Sequence, residues 1–252
     1  MIAALSRAVA LLALLGAQSA LAAEIKVLVT GAFKPIVIAL APAFEQRTGN
    51  KVVVDNGTAG QIAKRVADGE AFDVAIITPA ANRELAEAGK LRADTLAPVA
   101  RVGIGVVIRE GAKPPDISSL AAFRQTLLDA KSVSYIDPAS GGSSGVYFDK
   151  LLQKMGIANE VRAKAVLVPG GYVAERVRSG QAEIGIHQIS EIIPVSGTSL
   201  VGPIPAEVQN FTVYAAGLST RSANPADAAD FLSTLRGPDA AALLKTKGME
   251  LP

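Results

Sequence analysis

Short apolar segments typical of β-strands alternate along this chain with segments patterned as helices. Ile25 to Val29 forms the first such strand, and a helix that opens at Pro35 follows it and stops at Gly49. Two more strands, Lys51 to Val54 and Asp73 to Ile77, are each followed by a helix that ends at a glycine. Alternation of this kind indicates βα units, so the fold class predicted is α/β with largely parallel sheets.

The alternation is interrupted near Leu96 and begins again further along the chain. A single glycine-containing strand, Val102 to Ile108, leads into a second set of βα units, and the chain ends in one strand and two helices. Two similar sets predict two lobes. We expect the chain to leave the first lobe near Pro98 to Val102 and to return near Pro203 to Gln209. The predicted lobes are residues 23–100 with 205–252, and residues 101–204.

The first 22 residues have the composition of a secretory signal peptide. Arg7 precedes the uncharged apolar stretch Ala8 to Ala20, and Ala20-Leu21-Ala22 is a small-residue cleavage site before Ala23. The apolar stretch is too short to span a hydrocarbon core of roughly 30 Å. We therefore expect a cleaved, unanchored protein in the periplasm; an N-terminal anchor helix is the alternative.

Composition excludes several classes of function. The sequence has no cysteine, which removes disulfides, thiolate metal sites and an acylated anchor, and its single histidine, His187, cannot form a multi-histidine metal site. Without Arg7 the 25 basic residues become 24, against 23 acidic residues, and no basic block is present. Nucleic acid is therefore not expected as a partner, no metal or cofactor is expected, and a monomer is predicted.

Four predicted strands run into loops of small residues that open helices. In open parallel sheets ligands bind at the carboxyl ends of strands, where the N-termini of helices present backbone N–H groups to an anion. Glycine in such loops lets a ligand approach the backbone closely. These loops predict a small anionic ligand, bound by Gly31, Ala32, Phe33, Thr58, Ala59, Gly60, Ser143, Ser144, Gly171 and Tyr172.

Five segments, in this order and spacing, resemble the molybdate-binding-like branch of the type II periplasmic binding proteins. They are Phe44 to Gly49, Ala63 to Val74, Asp137-Pro138 with Gly145-Val146-Tyr147, Glu183 to Ile186, and Leu235 to Pro238 with Ala240-Ala241. The resemblance covers nearly the whole mature chain. It implies two Rossmann-like lobes with mixed sheets joined by two crossing strands, a ligand in the cleft, and an ABC transporter permease as partner.

The sequence departs from that family at the positions that would bind molybdate. Gapless alignment places Ala32 and Ala59 where the family has two serine hydroxyls, and Gln188 where it has a tyrosine; a one-residue slip would exchange Ala59 for Thr58. Losing donors leaves an oxyanion poorly compensated, so molybdate is disfavoured. A di- or tricarboxylate is the preferred ligand class.

The resemblance also places ligand contacts at the end of the strand that begins at Glu183. His187 and Gln188 are therefore added to the candidate ligand-binding residues, with Ser190 beside them. Lys34 and Arg65 are cations that suit a carboxylate ligand, although a solvated position on a helix is the more common outcome for a single charge.

Binding is the preferred function, because the chain has no nucleophile elbow, metal-ligand pattern, P-loop or dinucleotide fingerprint. The resemblance extends to aconitate isomerases, however, which makes a periplasmic isomerase of an unsaturated tricarboxylate the alternative. In that case His187, Tyr172 or Lys34 would transfer the proton. Glu191 either accepts a ligand hydroxyl or pairs with a cation. Binding of molybdate or another oxyanion is the second alternative.

Overall fold

The computed structural model describes residues 22–252, and these form two five-stranded sheets covered by helices. The predicted signal peptide, residues 1–22, lies outside the described residues except for Ala22. The strands are β1 Glu24–Thr30, β2 Lys51–Gly57, β3 Val74–Ile77, β4 Ala97–Val102, β5 Ile104–Arg109, β6 Val133–Ile136, β7 Ala165–Val168, β8 Ile184–Gln188, β9 Thr198–Pro203 and β10 Thr212–Leu218. The helices are α1 Lys34–Thr48, α2 Ala59–Ala67, α3 Pro79–Glu87, α4 Leu120–Asp129, α5 Ser143–Lys154, α6 Ala158–Arg162, α7 Ala174–Arg178, α8 Ile189–Ile192, α9 Pro225–Thr234 and α10 Pro238–Thr246.

The first sheet has the strand order β2-β1-β3-β10-β4. Its first three strands are parallel, and β10 joins β3 and β4 antiparallel. Helix α1 packs its apolar face against this sheet, and Phe44 meets Phe231 of α9 edge to face at 5.0 Å between ring centres. Gly49 ends α1 in the left-handed conformation (φ 78°) and returns its N–H to Glu45 O at 2.8 Å.

The second sheet has the order β7-β6-β8-β5-β9. Strand β6 is parallel to β7 and β8, whereas β5 is antiparallel to β8 and β9. Its core includes an edge-to-face pair between Tyr135 and Phe148, again 5.0 Å apart. Each sheet is mixed and each has its own core, so the predicted α/β class is confirmed.

The chain crosses between the sheets twice. The prediction of one strand from Val102 to Ile108 is wrong: Gly103 separates β4 in the first sheet from β5 in the second. The side-chain amide of Gln209 holds this crossing, since Ile104 N donates to Gln209 Oε1 at 2.8 Å and Gln209 Nε2 donates to Ile104 O at 2.9 Å. The return runs from β9 to β10, and β9 lies in a stretch that showed no strand pattern. The division into lobes at 23–100 with 205–252 and 101–204 stays a prediction.

The two sheets face each other across a cleft, toward which the carboxyl ends of β1, β2, β6 and β8 point. Helix α5 begins at Ser143, so Ser143 and Ser144 both lie in its first turn. Within residues 22–252, no helix has the length and apolar character needed to cross a membrane.

Candidate functional site

A small cavity lies at the centre of the cleft, bounded by strand ends and helix starts from both sheets. Its volume is about 30 Å³, room for no more than a few water molecules. A wider groove adjoins it through Ala59 and Ser143 and opens to solvent between α3 and α5. The cavity is lined by Thr30, Gly31, Ala32, Asn56, Gly57, Thr58, Ala59, Ile136, Gly142, Ser143, Ser144, Gly171, His187, Gln188, Glu191 and Tyr214.

Two helices begin at this cavity, α2 from the first sheet and α5 from the second. Of the approach to α1, only Gly31 and Ala32 line the cavity. The N-cap of α5 is Gly142, which has no side chain to accept from the first-turn N–H groups, whereas at α2 the Thr58 hydroxyl and Gly141 O accept from Gln61 N and Gly60 N. Free N–H groups and the positive ends of the helix dipoles favour an anion at this point.

His187 and Glu191 form a buried pair on one wall. His187 Nε2 lies 3.3 Å from Glu191 Oε2, and the two residues are only 1% and 7% exposed. Burial raises the pKa of the Glu191 carboxyl to about 8 and lowers the pKa of the His187 imidazole to about 3. The pair is therefore uncharged at neutral pH, with a proton on Glu191 and a neutral imidazole beside it.

Glu191 reaches from α8 of the second sheet to the loop that follows β1 in the first. A Cβ atom built on Gly31 would lie 2.3 Å from Glu191 Oε1, which is closer than atoms approach without moving. Gly31 thus allows the carboxyl group to reach the cavity, and this contact is a physical reason for glycine at that position.

Three side chains from different elements form a hydrogen-bonded ring beside the pair. The Tyr214 hydroxyl donates to Gln188 Oε1 at 2.6 Å, Gln188 Nε2 donates to Ser143 Oγ at 3.0 Å, and the Ser143 and Tyr214 hydroxyls are 3.4 Å apart. Burial raises the pKa of the Tyr214 phenol, so it remains a neutral donor. Gln188 stands where the family has a tyrosine, and Tyr214 supplies a phenol to the cavity wall from β10 instead.

Direct hydrogen bonds between the two sides hold the cleft closed. Gly60 N donates to Gly141 O at 3.2 Å, the Thr58 hydroxyl donates to Ser140 O, and Gln61 Nε2 donates to Pro169 O at 3.0 Å. At the centre of this contact a Cβ on Gly60 would lie 2.9 Å from the Cα of Gly141. We call the contact between Gly60 and Gly141 the glycine seam.

Most of the predicted ligand-binding residues lie on the cavity wall. Three do not: Phe33 is buried in the core of the first sheet, Gly60 lies in the glycine seam, and Tyr172 packs partly buried against Val107, Ala174 and Val177. The nine that line the cavity are Gly31, Ala32, Thr58, Ala59, Ser143, Ser144, Gly171, His187 and Gln188.

The two cations proposed from the sequence do not line the cavity. Lys34 donates to Asn56 Oδ1 at 2.7 Å, so it contacts a lining residue without lining the cavity itself. Arg65 is paired with Asp55 and with Glu70, whose pKa falls to about 2 because Arg65 and Lys26 both donate to it. The hypothesis that Arg65 clamps a carboxylate ligand is therefore wrong, because its donors are already used.

Sequence reasoning left seven lining residues out of the candidate set. Glu191 carried a usable signal, since it follows His187 by four residues and a helical turn brings that spacing together. Tyr214 carried none, because only the pairing of β10 with β3 brings it to the site. The residues missed are Thr30, Asn56, Gly57, Ile136, Gly142 and Tyr214, whereas Glu191 was considered as a ligand contact but not included in the candidate set.

Several polar atoms in this region are buried without a hydrogen-bond partner in the protein. Thr30 Oγ1 and His187 Nδ1 belong to lining residues, and Ser190 Oγ is on α8, two residues after the lining residue Gln188. Burying a polar atom without a hydrogen bond lowers the stability of the folded protein, so these atoms indicate a polar ligand or ordered water. In the part of the chain that the structure describes, no cluster of three or more histidine or acidic residues is placed to hold a metal ion.

Comparison with known proteins identifies the family. The model of the bacterial extracellular solute-binding protein family matches residues 25–250. An aconitate isomerase from a Pseudomonas species is 33% identical over 230 residues, covering 89% of this chain and 86% of that protein. The molybdate-binding protein ModA of Azotobacter vinelandii is 28% identical over 254 residues, covering 96% of each.

A solved structure shares the architecture. The periplasmic molybdate-binding protein of Azotobacter vinelandii superposes with a TM-score of 0.76 at 21% sequence identity, covering 90% of this chain and 99% of that one. The predicted type II periplasmic binding fold and the resemblance to molybdate-binding-like proteins are confirmed. With its two mixed sheets, its central cleft and a family match over nearly its whole described length, this chain belongs to the bacterial extracellular solute-binding protein family.

Proposed function

We propose that this protein captures a small di- or tricarboxylate in the periplasm and delivers it to the permease of an ABC transporter. The observation that carries the proposal is the cavity where the N-termini of α2 and α5 converge from the two sheets, beside buried polar atoms that lack partners. Anions are stabilised at helix N-termini, and a bound carboxylate would satisfy the unpaired groups. Family membership supports the transport role.

The chemistry of the wall favours carboxylate over a tetrahedral oxyanion. Ala32 and Ala59 offer no hydroxyl at the starts of α1 and α2, and the Thr58 hydroxyl is used by the helix cap and by Ser140. The wall still offers Ser144, Thr30 and first-turn N–H groups, which suit the in-plane lone pairs of a carboxylate. Of residues 22–252, no lysine or arginine lines the cavity, so helix dipoles and neutral donors would compensate the charge.

A di- or tricarboxylate is larger than the closed cavity. The cleft must open to admit it, and the glycine seam must separate as it does so. Hinge closure around a ligand is a common transition in two-lobed proteins. The groove between α3 and α5 gives an entry side.

A melting experiment tests this proposal. A ligand at a hundredfold excess over its Kd stabilises the folded state by about 2.7 kcal/mol, which raises the melting temperature measurably. We expect such a rise with a di- or tricarboxylate and none with molybdate at the same concentration. Ser144→Ala should reduce the rise by removing a buried donor, at a cost of about 1–3 kcal/mol of binding free energy. Stabilisation by molybdate alone, unchanged in Ser144→Ala, would contradict the proposal.

A second function is isomerisation of an unsaturated tricarboxylate, and the His187–Glu191 pair favours it. A neutral imidazole and a protonated carboxyl 3.3 Å apart are a base and an acid in one ligand cavity. The 33% identical aconitate isomerase supports the same reading.

The proposed isomerisation needs no cofactor, because His187 and Glu191 together supply and recover every proton that moves. His187 takes a proton from the methylene carbon of aconitate, and the electron pair left behind forms a new double bond to the central carbon. The π pair of the old double bond takes a proton from Glu191 at the opposite carbon. The proton on His187 then returns to Glu191 across the 3.3 Å contact. Tyr172 and Lys34, the other groups proposed from the sequence, do not line the cavity.

Incubation with cis-aconitate and then with trans-aconitate, followed by ultraviolet absorbance, tests this second function. Approach to the same final mixture from either isomer would establish isomerisation. We expect His187→Gln to abolish the conversion while leaving the melting shift with propane-1,2,3-tricarboxylate, the saturated analogue. No change in absorbance at high enzyme concentration, despite a melting shift with aconitate, would leave binding as the sole function.

A further inference from the structure

We propose that Glu191 is a ligand-binding residue that enters the complex as a neutral carboxylic acid, so that the protein captures its anion together with one proton. The inference rests on the proposed function, because it concerns the same cavity. It assigns to Glu191 a role as donor, whereas the sequence suggested only that this carboxyl accepts a ligand hydroxyl or pairs with a cation.

The position of the carboxyl group supports the proposal. Glu191 lines the cavity, and its Oε1 lies so near Gly31 that no side chain fits between them. A carboxylate ligand held at the start of α5 would lie in the same cavity, beside this group. Two ionised carboxyl groups at close range in a buried site repel strongly, so one of them must hold a proton.

The surroundings of Glu191 supply no cation to offset a negative charge. Among residues 22–252 its one ion-pair contact is with His187, and it accepts no other side-chain or backbone hydrogen bond. The titratable groups that face it from other elements are His187 on β8, Tyr214 on β10 and Tyr172 before α7. Burial keeps His187 neutral and raises the pKa of both tyrosines, so none of the three offsets the charge.

The direction of the pH dependence follows from linkage. A bound anion favours the protonated carboxyl and raises its pKa further, whereas the free protein has a Glu191 pKa of about 8. Below that pH the free protein already holds the proton, and binding takes up none. Above it, binding must draw one proton from solvent, so affinity decreases as pH rises.

Calorimetric titration with propane-1,2,3-tricarboxylate tests the proposal, since this saturated compound cannot isomerise. Titrations in two buffers of different ionisation enthalpy give the number of protons taken up for each ligand bound. We expect nearly none at pH 7, nearly one at pH 9, and an affinity about tenfold lower at pH 9. A carbon-13 label on glutamate side chains should show the Glu191 carboxyl return to its protonated shift when ligand is added at pH 9.

Two variants make the test specific. Glu191→Gln has the shape of the neutral acid, so it should bind with no proton uptake and with equal affinity at pH 7 and pH 9. Glu87→Gln changes an exposed glutamate on α3 and should behave as the unchanged protein does. Melting temperatures of both ligand-free variants confirm folding.

The outcomes separate the two proposals. Binding with the same proton count and pH profile in the unchanged protein and in Glu191→Gln would overturn this inference and leave the proposed function standing. No binding of propane-1,2,3-tricarboxylate or of cis-aconitate at any pH would overturn the proposed function, and this inference with it.

Discussion

The electrostatic character of this site is set by the protonation states of a few buried side chains rather than by the net charge of the protein. The cavity wall combines an acid held neutral by burial, a histidine held neutral by burial, and a phenol that donates to an amide. The sequence shows each of these residues but not their neighbours. Burial of His187 and Glu191 comes from helix and sheet packing around them, which a local pattern does not reveal.

Gly31→Ala is predicted to weaken ligand binding while leaving the fold intact. The added Cβ would meet only the end of the Glu191 side chain, which can turn away from the cavity, and the backbone of Gly31 is not left-handed. We expect the melting shift caused by a tricarboxylate to shrink by at least half, with the ligand-free melting temperature nearly unchanged.

Gly237→Ala, at the start of α10 and away from the cleft, is the matched control and should leave the melting shift intact. If the loss comes from Glu191, combining Gly31→Ala with Glu191→Ala should cost less than the sum of the two single changes. If the losses of binding free energy in the two single variants simply add in the double variant, Gly31 does not act through Glu191.

At the scale of elements, strands and helices in the βα sets were predictable and the crossings were not. Alternation and glycine stops gave α1, α2 and α3 nearly to their observed bounds, because each follows a strand and ends where a glycine lets the backbone turn. Strand β9 was missed because Thr198–Pro203 has no clear period and contains two residues, Gly202 and Pro203, that argue against strand. Pairing with β5 overrides that local preference.

Thr58→Ala is predicted to destabilise α2 and the closed cleft together. The Thr58 hydroxyl accepts from Gln61 N at 3.1 Å, Gln61 Oε1 accepts from Thr58 N at 2.9 Å, and the same hydroxyl donates to Ser140 O. Loss of such a cap costs about 1 kcal/mol in free energy of unfolding, measured by urea denaturation, and Thr58→Ser should restore it.

Ser119→Ala removes a comparable cap from α4, where the serine hydroxyl accepts from Ala122 N at 3.1 Å and makes no contact across the cleft. It should lower the free energy of unfolding by a similar amount and leave ligand affinity unchanged. Equal ligand affinities in Thr58→Ala and Ser119→Ala would argue against a role for Thr58 in closure.

For the whole molecule, two mixed sheets with separate cores meet in a cleft that the chain crosses at Gly103 and again between β9 and β10. The sequence predicted the fold class and seven of the lining residues, because strand ends and helix starts are local features, and the family resemblance added His187 and Gln188. It did not predict Tyr214, because β10 enters the first sheet after more than a hundred intervening residues. Nor did it predict the contacts that close the cleft, which join Thr58 and Gly60 of the first sheet to Ser140 and Gly141 near the second.

Gly60→Leu is predicted to hold the cleft open. Its side chain would collide with the backbone of Gly141 only in the closed form, so the steric cost of about 1–3 kcal/mol falls on that form alone. We expect tenfold to hundredfold weaker ligand binding and a larger radius of gyration by small-angle X-ray scattering. Ala67→Leu adds the same side chain at an exposed position of the same helix and should change neither quantity. An unchanged radius and affinity in Gly60→Leu would show that the seam does not limit closure.

For the proposed delivery to a permease, closure of the cleft bears on how that partner distinguishes occupied from empty copies. The hydrogen bonds from Gly60, Thr58 and Gln61 to the opposite side do not depend on a ligand, so we expect the empty molecule to close as well. An empty molecule that shuts presents the same exterior as a loaded one, and we expect it to compete for the same docking position. The lifetime of the closed form, rather than its shape, would then distinguish loaded from empty protein. A bound ligand lengthens that lifetime by adding its own contacts, and a permease that responds slowly would select the molecules that stay closed longest.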